Sequence, residues 1–230
     1  MRNMTFSIIV REPTDDDCDT SYRYGVGVTT NNPGIGVFCP FTSEHGAVAT
    51  QYQTHGKVGP QIKRYLTDEV RAEDAVLAVV NSTDLAENLQ IHALCKETRG
   101  YHTGRGLDNF HDETDLIYGE RTGQNWSVAG NSLVSTDVLD STGDAYTSAD
   151  TTRPLAVRLI EALKAGDEAG GDGRDNNARS AAICITDPTA GLANEWYNNL
   201  RVDASKTPLT DLQQQYELAK SFHETASKEW

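Results

Sequence analysis

The first apolar run, Thr5 to Glu12, carries Phe6, Ile8, Ile9 and Val10 almost without interruption and predicts a buried strand. Tyr24-Gly25-Val26-Gly27-Val28-Thr29-Thr30 alternates glycine with valine, which predicts a second strand closely approached on its glycine face. Ile35 to Phe41 and Gly46 to Gln53 predict two more strands, set off by the turn residues Asn31-Asn32-Pro33-Gly34. The period then changes. Pro60 sits in the first turn of a helix whose Ile62, Leu66 and Val70 share one face, and Thr67-Asp68-Glu69 ends or bends it. A second helix is expected from about Ala72 to Asn81. Strands return at Leu89 to Lys96, Gly100 to Thr103, Asp115 to Glu120 and Trp126 to Asn131. Another helix pair covers Ser135 to Ser148 and the stretch after Pro154, where Leu155, Leu159, Ile160 and Leu163 fall on one side and Gly166 is the stop. Ser180 to Thr186 is apolar enough to be buried on both faces, and Asn199 to Asp203 is the last strand. Leu209 to His223 closes as an amphipathic helix with Leu212, Tyr216 and Phe222 as its apolar contacts.

The order is strands, helix pair, strands, helix pair, strands, helix. A parallel βαβ sheet would alternate single strands with single helices. The fold class expected is therefore α+β, a four-layer αββα sandwich of two antiparallel sheets flanked by helix layers. No repeat or linker divides the chain, so residues 5–230 are expected to form a single domain behind a short extension, residues 1–4.

Composition narrows the partners. The chain has 230 residues and a formal net charge of -14; its mean hydropathy is -0.53 and its pI about 4.7. Such an acidic surface repels phosphate backbones, so no nucleic acid is expected. A cationic partner or a solvated face would each account for the charge. No run is long and apolar enough to span a bilayer, and no secretory leader is evident, so no membrane partner is expected. Cys18, Cys39, Cys95 and Cys184 are scattered without a C-x-x-C pair, which points away from a disulfide framework and toward a cytoplasmic location.

For chemistry, the notable residue is Thr5, a hydroxyl residue directly behind Met4 at the head of the first strand. With its amine free, such a threonine is nucleophile and base together, because the amine takes the proton from its own hydroxyl. An aminopeptidase can expose it if translation starts at Met4; from Met1, the bulk of Arg2 blocks that trimming and the Thr5 nitrogen stays in a peptide bond. The plain alternative is an ordinary first residue of a strand. The histidines His45, His55, His92, His102, His111 and His223 show no H-E-x-x-H or comparable spacing, so no metal is expected. Neither a phosphate-binding G-x-x-x-x-G-K-[ST] loop nor a G-x-S-x-G elbow is present, and no cofactor is expected.

Several stretches together resemble the domain of unknown function 1028 family: the Thr5-Phe6-Ser7-Ile8 opening, Gly46-Ala47-Val48-Ala49-Thr50-Gln51, a Gly130-Asn131 turn, the Ala169-Gly170-Gly171-Asp172-Gly173-Arg174 loop running into Ser180-Ala181-Ala182, and Leu200-Arg201-Val202-Asp203. The match runs from Thr5 to about Leu218. That family is grouped with the N-terminal-nucleophile hydrolases, whose fold is the αββα sandwich. The resemblance implies amide-bond hydrolysis, with Thr5 and Asn131 as the catalytic candidates: Thr5 the nucleophile, Asn131 or nearby backbone N–H groups the oxyanion donors. It implies Thr50, Gln51, Asp172, Arg174 and Ser180 as substrate-binding candidates and a small amide or peptide-like ligand. Asn131 and Asp172 are also natural turn formers, Arg174 also suits a surface ion pair, and Ser180 also suits a strand end. The second reading is a catalytically inactive binding or assembly protein on the same fold. A homo-oligomer is expected.

Overall fold

The computed structural model describes residues 5–14, 21–53, 56–111, 115–171, 179–191 and 193–226. In chain order the strands are β1 (Thr5–Pro13), β2 (Tyr22–Thr30), β3 (Pro40–Ser43), β4 (Gly46–Tyr52), β5 (Leu89–Cys95), β6 (Arg99–Thr103), β7 (Ile117–Thr122), β8 (Trp126–Leu133), β9 (Arg179–Thr186) and β10 (Asn199–Ser205). The helices are α1 (Val58–Thr67), α2 (Ala72–Asn81), α3 (Gly106–His111), α4 (Asp137–Ser148), α5 (Leu155–Glu168), α6 (Ala193–Trp196) and α7 (Pro208–Ala226). Six strands form one sheet in the order β10-β9-β2-β1-β8-β7, and four form another in the order β3-β4-β5-β6. Every pairing is antiparallel.

Strand alternation sorts β1 into two faces. Phe6, Ile8 and Val10 join a core with Val138 and Leu139 of α4 and Leu155, Leu159 and Leu163 of α5. Ile9 points the other way and packs with Tyr24, Val26, Val28 and Ala182 of its own sheet against Ala47, Ala49 and Leu94 of the second. The outer face of that second sheet, with Val48, Ile91 and Ala93, is covered by Ile62 and Leu66 of α1 and by Ala75, Val76 and Val79 of α2. The two sheets thus meet face to face, with helices on their outer faces. The alternating glycines of β2 let α5 settle close: a Cβ on Gly25 would lie 3.0 Å from Leu159, and one on Gly27 3.1 Å from Leu163.

Four expectations need correction. Ile35 to Phe41 is not a strand; a 3-10 turn over Ile35–Val37 precedes β3. Gly34 takes a left-handed φ of 78°, and the Ile35 N–H is captured by Ser180 Oγ at 3.1 Å rather than by a strand neighbour. Gly130 and Asn131 lie within β8 instead of forming a turn, because both are paired to β7 and Gly130 also to β1. Short helices α3 and α6 fall in stretches with no helical period. Phe222 is 67% exposed, stacked on Trp196 at 5.6 Å, and the buried face of α7 ends at Tyr216. The 19 residues of α7 span about 28 Å, more than the about 23 Å of the seven-residue β10 it packs along. Cys39, Cys95 and Cys184 are free thiols, and no helix among the described residues is long and apolar enough to cross a membrane.

Candidate functional site

The interface between the sheets changes character across its width. Between β2 and β4 it is apolar, but beside β8, from Ser127 opposite Ile9 to Asn131, it holds a row of buried polar side chains. Thr5 and Ser7 come from β1, Gln51 from β4, Gln90 and His92 from β5, and Ser127 and Asn131 from β8. None is more than 3% exposed. An unpaired buried polar group costs about 1–3 kcal/mol, so each of these needs a partner or a reason for lacking one.

Two backbone groups set the direction of the whole row. The Thr5 N–H can only donate, so the atom of Asn131 facing it at 3.2 Å is Oδ1. Asn131 Nδ2 then donates to Gln90 Oε1 at 2.9 Å, which leaves Gln90 Nε2 to donate to the Gly130 carbonyl at 3.2 Å. Gln51 Nε2 donates to the same Gln90 oxygen at 2.7 Å, so Gln51 Oε1 faces Ser7 and accepts the hydrogen bond that its hydroxyl donates at 3.0 Å. Ser7 has one proton to give. Toward His92 Nε2, 2.8 Å away, its oxygen must therefore accept, and His92 carries its proton on Nε2. Nδ1 is then bare and accepts from Ser127 Oγ at 3.1 Å.

This settles what a Ser-His-Ser contact could otherwise suggest. A nucleophilic serine needs the histidine nitrogen beside it to take its proton, and here that nitrogen donates. Burial pushes the His92 pKa down to about 3, so the ring is neutral. Ser7, His92 and Ser127 form a fully satisfied strut between the sheets.

Two hydroxyls of this region stand apart. Thr5 Oγ1 and Ser132 Oγ are both completely buried, and neither has a hydrogen-bond partner among the described residues. Thr5 is the first described residue of β1, and its nitrogen is the group that Asn131 holds.

The sequence-predicted residues divide accordingly. Thr5, Asn131 and Gln51 come together through Gln90. The carboxamide end of Asn131 that meets Thr5 is its oxygen, which orients the nitrogen of Thr5 rather than donating to an oxyanion. Thr50 and Ser180 are fully buried, and their bonds go to the segment joining β2 and β3: Thr50 Oγ1 donates to the Phe38 carbonyl at 2.7 Å and Ser180 Oγ to the Asn32 carbonyl at 2.5 Å. Asp172 and Arg174 lie outside the described residues. The sequence reading singles out none of Gln90, Ser127 and Ser132, and treats His92 only as a histidine without metal-ligand spacing. In Leu89-Gln90-Ile91-His92-Ala93-Leu94 the polar residues sit at every second position of an otherwise apolar strand, and that phase was the available signal. Ser132 gave none.

A cleft of about 300 Å³ opens elsewhere, lined by Tyr22, Tyr24, His45, Arg71 and Lys96 with Glu69. A well-formed cavity is the usual default for a site. Its lining, however, mixes side-chain charges of both signs, whereas the unpartnered buried hydroxyls lie at Thr5 and Ser132, and we place the candidate chemistry there.

No curated protein sequence matches this one. Among solved structures, protein SPO2555 from Silicibacter pomeroyi, titled a DUF1028 family-model, is similar with a TM-score of 0.73 and 24% identity, over 94% of this chain and 86% of that one. At that identity the likeness is one of fold. The model described as "Family of unknown function (DUF1028)" matches residues 5–212, and the chain belongs to that family.

Proposed function

We propose that the protein is an amidohydrolase of the N-terminal-nucleophile type, acting from Thr5 on a small amide, on a four-layer αββα sandwich. The observation that carries this is the Thr5 hydroxyl: fully buried and unpaired, on a residue whose own nitrogen is oriented by Asn131 Oδ1 at 3.2 Å. Facing sheets with helices on both outer faces support the architecture.

The reading requires the Met4–Thr5 bond to be broken, so that the Thr5 nitrogen becomes an amine. That amine takes the hydroxyl proton as Oγ1 bonds to the substrate's acyl carbon. The acyl C–N bond breaks, and the leaving amine receives the proton. Water, deprotonated by the same amine, then hydrolyses the ester and restores Thr5. Asn131 holds the amine by accepting one of its N–H bonds, and Gln90 holds Asn131.

The complete burial of Thr5 favours the second reading, a binding or assembly protein without turnover. Mass spectrometry of the protein from its native host separates the two. Threonine as first residue, with hydrolysis of amide-library members that Thr5→Ala abolishes, is the expected result. An intact Met1 and identical behaviour of wild type and variant would overturn the amidohydrolase.

A further inference from the structure

Strand β8 contains an irregularity at Ser132. Leu133 pairs with Ile117 and Asn131 with Tyr118, so Ser132 is an extra residue with no opposite number on β7. Its φ is 56°, in the left-handed region that a non-glycine residue enters only at a cost. Bulges of this kind change which face a side chain takes.

The phase of the strand shows the change. Val128 and Leu133 both belong to the core beneath α4 and α5, and a Cβ on Gly130 would touch Leu133 at 2.9 Å, so Val128, Gly130 and Leu133 share the helix-facing side. Strict alternation would put residue 132 on that side and residue 133 on the other. The slip leaves Asn131 and Ser132 as the two residues between helix-facing neighbours. Asn131 already reaches the Thr5 nitrogen, and Ser132 follows it directly in the chain. Its hydroxyl is 0% exposed and has no partner among the described residues.

A strained backbone that leaves an unpaired buried hydroxyl one residue from the side chain holding the nucleophile candidate has little structural benefit. We propose that Ser132 donates its hydroxyl hydrogen bond to the carbonyl oxygen of the substrate as Thr5 attacks. This rests on the amidohydrolase reading, and it assigns the donor that Asn131, committed through its oxygen to the Thr5 nitrogen, does not supply there. Preorganised donors of this kind contribute most where water is excluded.

A β-lactone tests it. Attack by Thr5 Oγ1 on the ring carbonyl forms an ester, breaks the ring C–O bond and leaves the proton on the released alcohol, so intact mass reports the adduct and peptide mapping its position. Native-host protein whose first residue is Thr5, and its Ser132→Ala, Ser132→Gly and Thr5→Ala variants in the same processed form, are compared. Ester formation at Thr5 in wild type, slowed about 100-fold or more in both Ser132 variants, is expected. Ser132→Gly, which accepts the left-handed φ, is expected to melt at or above the wild-type temperature, so its slower acylation is not a folding defect. Equal rates at Thr5 in wild type and the Ser132 variants would overturn the donor role while leaving the nucleophile standing. An adduct mapped to Ser132 would overturn the role by making Ser132 the nucleophile. No adduct on wild type would remove the amidohydrolase reading and this role with it.

Discussion

The two ends of β1 solve the same problem in opposite ways. At its far end Glu12 turns toward the helices and is surrounded by donors. Arg158 grips both carboxylate oxygens at 2.5 and 2.6 Å, the Tyr146 hydroxyl donates at 2.6 Å, and Arg23 adds a bond at 2.9 Å. Burial alone would raise the Glu12 carboxyl, but the Arg158 and Tyr146 hydrogen bonds and the Arg158 and Arg23 charges outweigh it and hold it below its ordinary value. At the near end Thr5 is buried completely, more deeply than Glu12, whose side chain is 15% exposed, and the Thr5 hydroxyl has no partner among the described residues. A buried group with every valence met is holding the fold together. One left unmet, on the same strand, costs stability without holding the fold together.

The largest expected effect comes from breaking the satisfied end. Arg158 is 2% exposed, so Arg158→Met leaves the Glu12 carboxylate with only Tyr146 and the partly exposed Arg23 and should cost about 3 kcal/mol in urea unfolding. Pairing it with Glu12→Leu should recover most of that loss, since the orphaned charge and not the missing contact is the main penalty. A single-variant cost under about 1 kcal/mol would mean that the clamp is solvated and that the contrast drawn between the two ends fails.

How far each end could be read from sequence follows from what each depends on. The strands, both helix pairs and the two-sheet arrangement are local periodicities, and Phe6, Ile8 and Val10 announced a core strand directly. The glycine face of β2 was legible for the same reason, because Gly25 and Gly27 alternate with valines. The 3-10 turn at Ile35–Val37 was not, since it depends on Ser180, which lies 145 positions away from Ile35. The same holds at the site. Thr5 was visible from its place behind Met4, and Asn131 and Gln51 from short motifs. Gln90 joins these two only when β5 faces β8. The Ser132 bulge depends on a register that no single strand encodes. Glu12 and Arg158 are separated by 146 positions, so neither stood out from the other surface charges.

Acid titration sharpens the comparison along the strand. His92 is buried neutral, with its pKa lowered from 6.5 to about 3 by burial, so below pH 6.5 the unfolded chain binds a proton that the folded one refuses. Stability should therefore fall as pH drops through that window, by up to about 1.4 kcal/mol per pH unit. The depressed Glu12 carboxyl adds its own loss only as pH falls from about 4.5 through its lower folded value. His92→Gln keeps a donor toward Ser7 and an acceptor toward Ser127 but cannot titrate. The difference in unfolding free energy between it and wild type should shrink or reverse from pH 6.5 to 4.5. A constant difference would show that His92 protonates in place.

Ser7→Ala is expected to cost about 2 kcal/mol by chemical denaturation, because it leaves Gln51 Oε1 without its donor and His92 Nε2 without its acceptor. The His92 ring should also lose its single tautomer, read from the nitrogen shifts of the imidazole. A ring already carrying its proton on Nδ1 in wild type would reverse the direction assigned to the Ser7–His92–Ser127 bonds.

The smallest effect is the most telling. Thr5 and Ser7 share one face of β1, two positions apart, and both are 0% exposed. By composition alone, removing either hydroxyl should cost the same. Thr5→Val keeps the shape of the side chain and deletes only an oxygen that bonds to nothing described, so unfolding free energy should rise by about 1 kcal/mol, the low end of the penalty for an unpaired buried hydroxyl. A loss comparable to that of Ser7→Ala would mean that the Thr5 hydroxyl has a structural partner after all and that both ends of β1 are scaffold. A gain, joined to loss of β-lactone acylation in the same variant, would locate the cost of function in that one oxygen. Stability withheld at a single buried atom, two residues from a side chain bonded on both sides, is what separates a site from a core.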